Sequence, residues 1–88
     1  MLVLPLTPRE IQLVLSWRQK PFWPDDERVL RKLRAALERG EAPALSRLQV
    51  GLVRGWAEEQ VSGHYGGRAV NPDERAILDK LGRALAED

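Results

Sequence analysis

Asn71-Pro72-Asp73-Glu74-Arg75-Ala76-Ile77-Leu78-Asp79-Lys80-Leu81-Gly82-Arg83-Ala84-Leu85 governs the reading of this chain, because a near copy stands 48 residues earlier as Trp23-Pro24-Asp25-Asp26-Glu27-Arg28-Val29-Leu30-Arg31-Lys32-Leu33-Arg34-Ala35-Ala36-Leu37. Both begin with Pro followed by carboxylates, which suits the first turn of a helix: Pro has no N–H to lose there, and the positive end of the macrodipole favours acids. Val29, Leu30, Leu33, Ala36 and Leu37 then recur at helical spacing, as do Ile77, Leu78, Leu81, Ala84 and Leu85. Gly40 supplies a left-handed stop for the earlier copy.

Outward from these two helices, each is preceded by another. Thr7-Pro8-Arg9-Glu10 combines an N-cap hydroxyl, Pro at the first helical position and Glu at the third, which is a capping box. Ser46-Arg47-Leu48-Gln49 has the same form. A shift of 39 aligns Leu6 with Leu45, Thr7 with Ser46, Ile11 with Val50, Leu13 with Leu52, Val14 with Val53 and Trp17 with Trp56. The first of these helices should end near Lys20, before Pro21 and Pro24, and the second near Val61 or Ser62, with Gly63 as its stop. The two shifts differ by nine residues, so the second unit carries a longer loop, residues 62–70.

The expected fold is therefore all-α: a four-helix array from two duplicated helical hairpins, with a short extended N-terminal arm at Leu2-Val3-Leu4. Residues 1–88 form a single helical domain with pseudo-repeats 6–39 and 45–87. The arm could pair with Arg68-Ala69-Val70 or add to a neighbour's edge. Gly51 and Gly55 stand where the first helix has Gln12 and Ser16. Each Gly costs about 1 kcal/mol relative to Ala in a helix, so a close helix–helix approach on that side is expected in compensation, with Gly82 in a similar part.

Composition bounds the function. An 88-residue chain buries only about 60–65% of its unfolded surface, so its core is small and association would help it. A net charge of +1 gives no global field toward nucleic acid or membrane, although residues 1–40 carry eight Lys/Arg against five Asp/Glu and residues 41–88 carry six against eight. The absence of cysteine excludes disulfides, thiol catalysis and cysteine-ligated zinc, and fits a cytoplasmic setting. The apolar start is too short for a signal peptide or a membrane span. Arg outnumbers Lys eleven to three, which suits a thermophile, and GC-rich codon usage produces the same bias.

No constellation carries a chemical signature. His64 and Tyr65 lie among Gly63, Gly66 and Gly67, next to Arg68; these residues could cradle an anion, but the plainer account is a loop rich in Gly because it must turn. No nucleophile is paired with a base, and no metal, cofactor or enzymatic activity is expected. The candidate partner-binding residues are aromatic: Phe22 and Trp23 in the Pro-bounded connection, with Trp17 and Trp56 at corresponding places on the first and third helices. Trp17 and Trp56 also suit a core around a pseudo-twofold axis.

Apolar surface left over on the first and third helices predicts a homodimer or another protein partner. The competing expectation is a phosphate or nucleic-acid binder using Arg28, Arg31, Lys32 and Arg34 on the second helix. Against it, Glu27 and Arg31 are four apart, a spacing common on solvated faces, and the third helix is too apolar to lie in a DNA groove.

Overall fold

A computed structural model describes residues 1–18, 23–62 and 72–87. The fold is all-α; among the described residues it has four helices and one small two-stranded sheet: β1 Leu2–Val3, α1 Pro8–Trp17, α2 Pro24–Arg39, β2 Ala44–Leu45, α3 Arg47–Ser62 and α4 Pro72–Glu87. The expected alternative partner of the arm, residues 68–70, lies outside the described residues. β1 pairs antiparallel with β2, Leu2 opposite Leu45 and Val3 opposite Ala44. The Leu4 N–H continues the ladder to the Pro43 carbonyl at 2.9 Å. Ala44 and Leu45, just before the Ser46 capping box, thus supply the partner strand. A strand of two residues is too short for any alternation of apolar and polar side chains to show.

The helix ends follow from their caps. Thr7 Oγ1 accepts from the Glu10 N–H at 3.2 Å, and Glu10 Oε1 accepts in return from the Thr7 N–H at 2.8 Å. At α3 the Ser46 hydroxyl accepts from the Gln49 N–H at 3.2 Å, and Gln49 Oε1 accepts from the Ser46 N–H at 3.0 Å. Two orphan amides are satisfied at each start. Asp26 accepts from the Trp23 N–H at the start of α2, at 3.3 Å. Gly40 closes α2 with φ of 65°, and Glu41 N–H returns to the Ala36 carbonyl at 3.0 Å. The left-handed conformation there is one that costs a side chain about 1–2 kcal/mol, hence Gly.

The core is a single cluster drawn from every element. Ile11 and Val14 of α1, Val29, Leu30 and Leu33 of α2, Val50, Val53, Trp56 and Ala57 of α3, and Ile77 and Leu81 of α4 are buried together with Leu4, Leu6 and Leu45. Of the helical stripes read from the sequence, Val29, Leu30, Leu33, Ala36, Ile77 and Leu81 are buried, and Leu37, Leu78, Ala84 and Leu85 pack half-buried against them. α3 packs most extensively on α4 and α1 on α2, while α1 and α3 each touch all three other helices. Among the described residues, no helix is long and apolar enough to cross a membrane.

Candidate functional site

Two contacts between the hairpins fix how α1 and α3 are held. Lys80 Nζ of α4 donates to Glu10 Oε1 of α1 at 2.6 Å, and Lys32 Nζ of α2 donates to Gln49 Oε1 of α3 at 2.8 Å. In each case the acceptor is the oxygen that also closes a capping box. Glu10 maps to Gln49 by the shift of 39, and Lys32 to Lys80 by the shift of 48. The two contacts are therefore each other's counterpart in sequence, one with a charged acceptor and one with a neutral acceptor.

Glu10 is 6% exposed. Burial alone would push its carboxyl pKa up, but the bonds from Lys80 and Thr7 and the ammonium's charge outweigh it, so the pKa is lowered. Glu10 is held as a carboxylate in an ion pair, the opposite of what a general acid needs. Among the described residues there is no group of three or more His, Asp or Glu that could hold a metal ion. His64, Tyr65 and Arg68 lie outside the described residues.

The aromatic candidates are placed differently from one another. Trp56 is 4% exposed and belongs to the core; the Arg18 guanidinium carbon lies 5.5 Å from its ring centroid. Arg18 also pairs with Glu59 at 3.8 Å. Trp17 is half-buried against the same core. Trp23 is 66% exposed at the start of α2, and Phe22 lies outside the described residues.

The basic candidates sit on α2, with Arg28, Arg31 and Arg34 exposed. Arg28 is 3.6 Å from Asp25 and Arg31 is 3.3 Å from Glu27, within their own helix. Exposed pairs of this kind contribute about 0–1 kcal/mol and partly neutralise the face. Lys32 is turned inward to Gln49 and is half-buried.

Sequence reasoning expected surplus apolar surface on the first and third helices but did not single out Leu48 of α3. Leu48 is 70% exposed, and it lines an open trough of 460 Å³ with Arg47, Gly51, Leu52 and Leu85. Among the described residues the expected close approach at the glycines is not found: a Cβ built on Gly51, Gly55 or Gly82 meets nothing within 4 Å. The reason is facing. Val50, Val53, Trp56 and Ala57 form the packed side of α3, and Gly51 and Gly55 fall on the exposed side with Leu48. The signal was available in the alignment of the two units, where Leu48, Gly51 and Gly55 stand against Arg9, Gln12 and Ser16. Once the hairpins, their caps and this surface are laid out, comparison adds no relatives: no protein-family model, no curated protein and no solved structure matches the chain.

Proposed function

We propose that this protein is a non-catalytic helical interaction module that acts by self-association. The observation behind it is the exposed apolar surface of α3, where Leu48 stands out beside half-buried Leu52 and Leu85. A single exposed Leu is ordinary, but one that opens onto a trough lined by two further Leu and a bare Gly backbone forms a contact surface. Descent of the two hairpins from one unit belongs to the same proposal. It is supported by the paired shifts in sequence and by the matching Lys80–Glu10 and Lys32–Gln49 contacts.

Light scattering on a sizing column, across a hundredfold or wider range of concentration, tests the reading. A mass approaching twice 10.0 kDa is expected, and a mass of 10.0 kDa at every concentration would overturn it. The alternative, phosphate or nucleic-acid binding through Arg28, Arg31 and Arg34, has the exposure of those three residues in its favour. It predicts heparin retention that survives moderate salt and weakens on replacing Arg31, Lys32 and Arg34.

A further inference from the structure

We propose that the occupant of the α3 surface is α3 of a second copy, lying antiparallel across a twofold axis near the midpoint of Gly51 and Gly55. The inference rests on the self-association reading above and adds to it the surface and the geometry. α3 exposes Arg47 at its first residue and Glu58 and Glu59 near its far end, with Leu48, Gly51 and Gly55 between them. A face with opposite charges at its two ends is complementary to itself only when the second copy runs the other way. Arg47 of each copy then lies by Glu58 and Glu59 of the other, and the Gly51 backbone lies against the Gly55 backbone. A parallel arrangement would set Arg47 against Arg47 and the glutamates against glutamates. An antiparallel twofold contact is also isologous, so it closes at two copies and leaves no sticky end.

The glycines fit this arrangement because a backbone without Cβ lets two helices approach closely, and among the described residues nothing stands within 4 Å of a Cβ built on either. The corresponding residues of α1, Gln12 and Ser16, are exposed as well and carry ordinary polar side chains. Arg54 and Glu58 pair with each other at 3.2 Å, and Glu59 with Arg18 at 3.8 Å, so the acidic end already takes part in local pairs that Arg47 would join.

The test measures the dimer dissociation constant by sedimentation equilibrium for the full chain and four variants. Gly55→Leu favours the helix while holding two backbones apart, so it should weaken the dimer a hundredfold or more with helicity and melting temperature kept. Arg47→Glu and Glu58→Arg should each weaken it about tenfold, and the double variant Arg47→Glu/Glu58→Arg should recover most of that loss. If the parent chain dimerises and none of these variants changes the constant, the α3 pairing is wrong and self-association uses another surface, with Trp23 the next place to look. Weakening by both single charge reversals without recovery in the double variant overturns the antiparallel register. A parent chain that stays at 10.0 kDa throughout overturns both the pairing and the reading beneath it.

Discussion

The two hairpins bury four corresponding pairs of core residues and expose different chemistry. Ile11 and Val50, Val14 and Val53, Val29 and Ile77, and Leu33 and Leu81 are buried pair by pair. On the outside, α1 presents Arg9, Gln12 and Ser16, where α3 presents Leu48, Gly51 and Gly55. Arg9 even has an ion-pair partner across the fold, Asp73 at 3.2 Å. Packing constraints act equally on both helices, so they explain the inner residues and leave the outer difference unexplained. The fold tolerates a polar outer face on α1, and among the described residues nothing packs within 4 Å of a Cβ at Gly51 or Gly55 on α3.

Exchanging the faces breaks the comparison most directly. Placing the α1 residues on α3, as Leu48→Arg, Gly51→Gln and Gly55→Ser together, should abolish self-association while helicity by circular dichroism is unchanged. Dimer persisting in this triple variant would show that the α3 face is not the contact. Next in size are the inner positions: Leu33→Ala and Leu81→Ala should each cost about 3 kcal/mol in urea unfolding, because both side chains are fully buried. A large inequality between them would mean that one hairpin relaxes around the cavity and the other does not.

The counterpart lysines sharpen the comparison further. Lys80→Ala should cost about 2 kcal/mol, since it strands a buried carboxylate, and Lys32→Ala about 1 kcal/mol, since the Gln49 amide it leaves is neutral. Equal losses would show that the charge on Glu10 adds nothing. Acid should separate the two as well. The Glu10 pKa is lowered on folding, so its contribution is fully present above the ordinary glutamate value of about 4.3 and is lost as pH falls below it through the folded value. Glu10→Gln should therefore lower Tm at pH 7 and flatten the acid limb, whereas no such titration attaches to Gln49. The smallest expected change is a gain: Gly55→Ala should stabilise the monomer by up to about 1 kcal/mol, because a methyl there meets open space.

The hairpins were legible in the sequence because caps and stripes are local. Thr7, Glu10, Ser46 and Gln49 announce their helix starts within four residues, and the apolar periodicity needs only one helix to be visible. The β1–β2 pairing was not legible, since its register depends on how α1 and α2 bring Leu4 beside Pro43, a contact between residues 39 apart. The glycines were expected at a close helix–helix approach, and among the described residues none is found at Gly51 or Gly55. Gly51 and Gly55 share a face with Leu48, and the apolar Leu52 beside them blurs where the buried stripe of α3 ends. Trp17 and Trp56 show the same limit from the other side: identical residues at corresponding places, one half-buried and one buried.

The Lys80–Glu10 bond joins residues 70 apart in the chain. During synthesis, Thr7 and Glu10 have long left the ribosome before Lys80 is added, and until then the Glu10 carboxylate has only its own turn of helix for company. α1 is thus completed by a lysine of α4, and a nascent chain that stalls short of α4 holds an acid poised over a core it cannot yet close.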